Sequence, residues 1–408
     1  MSLRVSPLTK VRKLSCKPWP IPAVASRAFD VIIVGAGSVG TPLAWQLAAA
    51  GLKTLVIDQF ASVGQGSNKA AIGGIRATHS DLAKIRIGLR SIEIVSTWKA
   101  RYGDDLAWLQ GGYCFVAYRA REEAILKGLL VIQQRQGLDT TWLDKEALLS
   151  LIPALNPIGL LGSTFSPGDG SASPLLAALA FERQAKEHGA VFVYGETVTA
   201  ILRDHDRVRG VVTDKGSYSA NVVVNAAGPW ARPIAALVDI ELPVQAESHE
   251  AGISEPVAPF LRPMVVDLRS VSGSANFYFY QHATGQVVFC LTPDPPVLGT
   301  DRRETSDFLP QIAPRLIAVV PMLKHLKVRR TWRGLYPMTS DGMPIVGPAN
   351  GLTGYLNAAG MCGQGFMLGP GLAVYLRRLI TEDVDEETLT VLSQLALERK
   401  PRVAEALK

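Results

Sequence analysis

The sequence predicts an α/β fold, α+β overall, in which a Rossmann-like dinucleotide-binding domain is joined to a second domain built on an antiparallel sheet. Three observations predict it. Over residues 29–58 an apolar strand runs into a glycine-rich turn, a helix and a second strand that ends in an acid. Apolar strands run into small-residue turns again at ANVVVNAAGPWA and in the last third of the chain. Between residues 243 and 327, extended alternating segments replace helical spacing.

The first unit fixes the cofactor end. Val31 to Val34 is an uninterrupted apolar run, as a strand buried on both faces requires. Gly35, Gly37 and Gly40 then form Gly-x-Gly-x-x-Gly. The first allows a tight turn, the second lets the backbone approach a pyrophosphate, and the third lets the next helix pack on the strand. That helix, Ser38 to Ala50, would point its unpaired N–H groups and positive dipole end at the phosphates. The strand Thr54 to Ile57 closes with Asp58, a carboxylate placed to accept hydrogen bonds from a ribose diol.

At 408 residues the chain is long enough for two domains, and 48% hydrophobic against 19% charged residues describes a globular protein. Its net charge of +6 is concentrated at the start: Arg4, Lys10, Arg12, Lys13, Lys17 and Arg27 all precede the first acid, Asp30. No basic run interleaved with aromatics points to nucleic acid. This basic, acid-poor start has some transit-peptide character, but Pro7, Pro18, Pro20 and Pro22 interrupt any long amphipathic helix, and it is read as an ordinary extension. No stretch is long and apolar enough for a transmembrane segment. Cys16, Cys114, Cys290 and Cys362 are scattered without a Cys-x-x-Cys pair, which points to reduced thiols and a cytoplasmic setting. No metal cluster or nucleophile triad has recognisable spacing.

After Asp58, the loop GQGSNKAAIGGIRATHSD is too long for a turn and is expected to wrap a ligand. Helical spacing over Leu82 to Tyr102 predicts a surface helix, Gly112 to Tyr118 a strand, Arg121 to Gln136 a helix and Asp144 to Leu151 a short helix. Ser173 is an N-cap with Pro174 in the first helical position, for a helix reaching His188. Val191 to Tyr194, Val198 to Leu202, Val208 to Thr213 and Gly216 to Ser219 read as a meander, followed by a separate strand at Val222 to Val224. Met264 to Leu268, Asn276 to Gln281 and Gln286 to Leu291 are the strands of the second sheet. A helix at Leu309 to Val319 and a strand at Val328 to Trp332 lead back to the first domain, and a last helix spans Pro370 to Ile380.

From Phe29 onward the chain resembles the D-amino-acid-oxidase and glycine-oxidase superfamily of FAD proteins, and within it the β-subunits of sarcosine oxidase and L-proline dehydrogenase. The residues that carry the resemblance are the glycine fingerprint with Asp58, GGIRATHSDLAKIRIGLRSIE, SPGDGSASP, VVNAAGPWA, RRTWRGLYPMTSDGMPIVG and AAGMCGQGFMLGP. It implies a discontinuous FAD-binding domain over 29–110, 155–242 and 328–385, and an antiparallel-sheet substrate domain over 111–154 and 243–327. A basic extension over 1–28 and a C-terminal tail over 386–408 complete the division. FAD would lie extended, its adenosine over Gly35 to Asp58 and its flavin between the domains. A flavin needs N–H groups near its pyrimidine end, where reduction places negative charge, and Gly363, Gly365, Phe366 and Met367 would supply them from the start of the last helix. Gly35, Gly37, Ser38, Gly40, Asp58 and Gln59 belong to the adenosine end, and Ser67 and Asn68 suit pyrophosphate contacts. Ala227 and Gly228 suit a close backbone approach, Asp341 a flavin-side turn, and Gly74, Val198 and Trp230 complete the cofactor set.

The resemblance implies oxidation of a C–N bond in an amino acid, a secondary or N-methylated one, by hydride transfer to the flavin. Arg76 matches the family's substrate arginine, suited to bidentate capture of a carboxylate. Tyr336 matches a pocket tyrosine, and His79, His249, Tyr278 and Tyr280 are further candidates. Single-chain sarcosine oxidases carry FAD on a cysteine where this chain has Gly334, so non-covalent FAD is expected. They have a lysine where Met367 stands, and an oxygen-activating lysine on the strand aligned with Gln286 to Leu291, which contains none. This favours a dehydrogenase, with two alternatives: a peroxide-forming amine oxidase, and a non-catalytic flavin-binding electron-transfer subunit. Resemblance to β-subunits also raises a hetero-oligomer with FMN at a subunit interface.

Overall fold

The computed structural model describes residues 28–349 and 351–399. The basic extension read over 1–28 lies, except for Ala28, outside the described residues, as does the end of the C-terminal tail.

The first sheet grows from the apolar run. Strand Ala28–Val34 pairs in parallel with Thr54–Asp58 on one side and Ser217–Asn225 on the other. Val191–Tyr194 extends the sheet in parallel beyond Thr54–Asp58, and Tyr355–Ala359 beyond Ser217–Asn225, with Ile345–Pro348 antiparallel at that edge. Val31, Ile32 and Ile33 are wholly buried because both faces are covered. Helices Gly40–Ala49, Leu82–Tyr102, Pro174–Glu187 and Gly365–Ile380 pack on one face, and strands Val198–Asp204 and Arg207–Thr213 contribute to the core on the other.

Two strand readings are corrected. Val191–Tyr194 belongs to the parallel sheet and not to the meander. The stretches read as separate strands at 216–219 and 222–224 form one strand, Ser217–Asn225, which pairs antiparallel with Arg207–Thr213 at its start and parallel with Ala28–Val34 from Ser219 on. Its polar first half obscures that continuity in the sequence.

Helix ends follow local chemistry at most points. The Asp81 carboxylate accepts from Ala83 N at 2.9 Å to start Leu82–Tyr102, and Gly103 ends it at φ +84°. Ser173 Oγ accepts from Leu176 N to start Pro174–Glu187. The last long helix departs from its expected start: it begins at Gly365 and carries Pro370 inside it. Tertiary packing overrides proline's preference for a first turn, because this helix is wedged against two others at glycines. A Cβ on Gly369 would lie 1.9 Å from Ser38 O, and one on Gly371 2.1 Å from Ile87 O. A further helix, Glu386–Ser393, occupies the start of the stretch read as tail, its N-cap Asp385 accepting from Thr388 N at 2.8 Å.

The second sheet runs in the order Val328–Met338, Gln245–Pro256, Gln286–Asp294, Gly273–Gln281, Met264–Asp267, Tyr113–Ala117, Gly162–Ser166, Thr141–Asp144. Its pairs are antiparallel except Met264–Asp267 with Tyr113–Ala117. Strand Gln245–Pro256 has no counterpart in the sequence reading, since QAESHEAGISEP lacks an apolar alternation. Gly162–Ser166 and Val328–Met338, which that reading put in the cofactor domain, hydrogen-bond into this sheet. Helix Phe308–Val319 covers one face of it with Phe308, Ile312, Leu316 and Val319.

Because the Gly369 contact is backbone against backbone, Gly369→Ala is expected to lower the unfolding free energy by about 1–3 kcal/mol. Chemical denaturation followed by circular dichroism checks it.

Candidate functional site

The three fingerprint glycines differ in what surrounds them. Gly35 has φ +111°, and a Cβ there would lie 2.5 Å from Ala226 O. A Cβ on Gly40 would lie 1.9 Å from Gly35 O, whereas one on Gly37 would meet nothing within 4 Å. Gly35 and Gly40 are therefore demanded by the fold itself. Gly37 opens onto a cavity of about 300 Å³.

Helices Gly40–Ala49 and Gly365–Ile380 both begin beside this cavity, so two positive dipole ends converge on it. Asp58 lines the same cavity. Its Oδ2 accepts from Ala36 N at 2.7 Å and its Oδ1 from Phe60 N at 2.8 Å. Burial raises its pKa, and those two N–H groups oppose the rise. Next to it Phe60 and Trp230 meet edge to face, 5.4 Å between centroids.

The cavity wall includes Gly35, Gly37, Ser38, Asp58, Gln59, Ser67, Asn68, Val198, Ala227, Gly228, Trp230, Tyr336, Gly363, Gly365 and Phe366. Residues from 34 to 366 thus meet in one cleft. Ser67 Oγ donates to Leu335 O at 2.7 Å and Asn68 Nδ2 to Pro174 O at 2.9 Å, while Asn68 Oδ1 is buried with no partner. Glu196, Thr197, Pro233, Ile234 and Leu237 also line the cleft. They have no sequence signature of their own, and only their nearness to Val198 and Trp230 could have suggested them.

Other sequence candidates lie outside the wall. Gly40 packs on Gly35, and a Cβ on Gly74 would lie 1.8 Å from the Tyr113 hydroxyl. Met367 packs on the first core. Asp341 caps Met343 N at 3.0 Å and pairs with Arg399 Nε and Nη2, each at 2.9 Å, so its carboxylate serves the C-terminal segment. The Tyr280 hydroxyl donates to Ile72 O at 2.6 Å. Arg76 is buried: its Nη1 donates to Thr78 O and lies 3.2 Å from His79 Nδ1, and its guanidinium sits 5.4 Å over the Phe115 ring. His79 is fully buried, and desolvation, then the charges of Arg76 and Lys84, holds its pKa well below the ordinary value.

Beside this arginine, buried Asp169 accepts from Ala77 N and from the Thr78 hydroxyl, both at 2.9 Å. Burial pushes its pKa up to about 6, against those hydrogen bonds and Arg76. On the second sheet, the Tyr336 and Tyr278 hydroxyls are 2.9 Å apart with Cys290 Sγ 3.9 Å from the former. Burial raises the pKa of all three, so they stay neutral. Among the described residues no group of three His, Cys, Asp or Glu side chains could hold a metal, and no helix is long and apolar enough to cross a membrane.

A family model described as "FAD dependent oxidoreductase" matches residues 30–379. The chain belongs to this family. Members it resembles include the mitochondrial dimethylglycine dehydrogenase of Rattus norvegicus, 26% identical over 364 residues, a match covering 85% of this chain and 42% of that protein. The glycine oxidase of Geobacillus kaustophilus is 27% identical over 383 residues, covering 91% of this chain and 97% of that one. The crystal structure of L-proline dehydrogenase from P. horikoshii superposes with a TM-score of 0.85 at 28% identity, covering 92% of this chain and 98% of that one. The chain thus spans about two-fifths of the first relative and nearly all of the other two. FAD is the cofactor of the family, and the residues fit it: space above Gly37, two converging helix N-termini, and an unpartnered Asn68 Oδ1 in the wall.

Gly37→Val should abolish flavin retention while changing the stability of the flavin-free protein by no more than about 0.5 kcal/mol, because its side chain enters open space. Visible absorbance and thermal unfolding of the two flavin-free proteins check it. For Asp169 the raised pKa stabilises the fold below the ordinary carboxylate range, and that contribution disappears as pH rises through about 6. Asp169→Asn is expected to flatten this fall, measured as urea midpoints across that window.

Proposed function

We propose that the protein is an FAD-dependent dehydrogenase acting on a secondary or N-methylated amino acid. The observation that carries this reading is neutral Tyr336 in the cavity wall, its hydroxyl on that of buried Tyr278, beside Gly363 and the dipole end of Gly365–Ile380. When bound, FAD supplies the ring that accepts electrons. Its attachment is read as non-covalent, since the matching position is Gly334, a residue in the cavity wall. The chain's own part is to bind, orient and exclude water. Oxidation removes hydride from the carbon beside the nitrogen and a proton from the nitrogen, leaving an imine that water hydrolyses. A neutral amine needs no strong base, so positioning supplies most of the effect.

Arg76 is assigned the substrate carboxylate. Supporting this, it is a buried cation packed on the second sheet's inner face, and a guanidinium can grip both carboxylate oxygens. Tyr336 is assigned to the substrate end of the wall, with Tyr278 bonded to its hydroxyl. Strand Gln286–Asp294 carries no lysine, which supports slow reaction of the reduced protein with oxygen and delivery of electrons to another carrier. The likeness to dimethylglycine and L-proline dehydrogenases supports the substrate class, and the resemblance to β-subunits supports assembly with other subunits. Cys114, Cys290 and Cys362 are buried thiols that form no disulfide with one another, which supports a cytoplasmic location.

Under anaerobic conditions proline, sarcosine or a related secondary amino acid is expected to bleach the flavin absorbance; failure of every such amine would overturn the reading. Arg76→Lys should raise the amine concentration for half-maximal bleaching by about tenfold or more, because a point charge replaces a bidentate fork.

A further inference from the structure

Tyr336 is held by groups outside the cavity wall as well as by those in it. The His249 imidazole lies against its ring, centroids 3.7 Å apart and planes 16° from parallel. The Gly363 backbone abuts the ring edge, where a Cβ would lie 1.9 Å from Cε1. The hydroxyl is engaged with Tyr278 at 2.9 Å. The register explains the stack: on strand Gln245–Pro256, Glu247 is directly opposite Tyr336 and His249 opposite Gly334, so the imidazole reaches diagonally over a residue with no side chain.

His249 is 5% exposed. Its Nδ1 is buried without a partner, and its Nε2 lies 3.9 Å from Glu247 Oε2. A neutral imidazole with its proton on Nε2, towards that carboxylate, leaves only a bare lone pair on Nδ1. A second proton would bury an unpaired N–H and a net charge. Burial therefore lowers the pKa, although Glu247 pulls the other way. The titratable groups around it are Glu247 on its own strand, Tyr336 on one neighbouring strand, Cys290 on the other, and Tyr278 beyond Cys290. Of these Glu247 supplies the charge, while the two phenols and the thiol are held neutral.

We propose that His249 is a positioning residue for the substrate end of the cavity: as a neutral ring it clamps Tyr336 and fixes its hydroxyl on Tyr278, and its protonation in acid releases the clamp. The kinetic part rests on the amine-oxidising reading; the titration of the ring does not.

The test uses the flavin-loaded protein with His249→Ala, which removes the ring, and His249→Phe, which keeps a flat ring that cannot titrate. His249→Ala is expected to raise the amine concentration for half-maximal anaerobic bleaching about tenfold with flavin retention unchanged, while His249→Phe stays within about threefold and loses the acid limb of the pH profile. Unchanged half-saturation in the alanine variant, or an acid limb kept in the phenylalanine variant, would overturn the proposal. Independently of any substrate, the imidazole NMR signal missing from His249→Phe should titrate below the ordinary histidine range. Titration at or above that range refutes the clamp even if no amine bleaches the flavin, whereas a lowered value with no bleaching refutes only the amine reading.

Discussion

The close crossing of the last long helix over the fingerprint helix is the contact on which the site depends. Gly369 lies against Ser38 O at the head of that helix, and Gly371 against Ile87 O of Leu82–Tyr102, distances that tolerate no side chain. That approach lets Gly365–Ile380 start beside Gly37, so that two helix dipoles act on one cavity instead of two separate surfaces. The parallel strands beneath provide the rigidity. Val31, Ile32 and Ile33 are wholly buried, and the turn at Gly35 is braced by Ala226 from the neighbouring strand.

The end of the cavity at Tyr336 follows a different physical rule. Tyr278, Tyr336, Cys290 and His249 are all driven towards their neutral forms by burial. A neutral, water-poor wall strengthens whatever charge interaction remains, since there is little competing polarisation. Buried Arg76, with Asp169 nearby, then carries the positive charge of that region, and Glu247 lies at the His249 side. Neutral walls with few fixed charges suit the proposed reaction, in which a carboxylate is held while a neutral amine reacts.

Local chemistry made several parts legible. The fingerprint from Gly35 to Asp58, the Ser173 cap and the full extent of Leu82–Tyr102 are written in short-range patterns of glycine, capping side chains and helical spacing. Strand Gln245–Pro256 was not legible, because its polar residues are buried by pairing on both edges and not by alternation. The start of Gly365–Ile380 was misplaced for a related reason: Pro370 argues locally for a helix start, whereas packing against Ser38 and Ile87 extends the helix before it. Asp341 resembled a flavin contact by motif, yet Arg399, 58 residues away, holds it.

By itself the sequence determined the strand, glycine turn and helix of Gly35 to Asp58, a pattern that suits a dinucleotide, and its resemblance to a family of flavoproteins implied FAD. Those features depend on turn geometry, helix polarity and residue order, all of which are local. Only the tertiary structure decided that Tyr336 meets Tyr278, that His249 lies on Tyr336, and that buried Arg76 donates to Thr78 O beside His79. Strand register and long-range packing set those contacts, and neither is encoded in any single stretch of the chain.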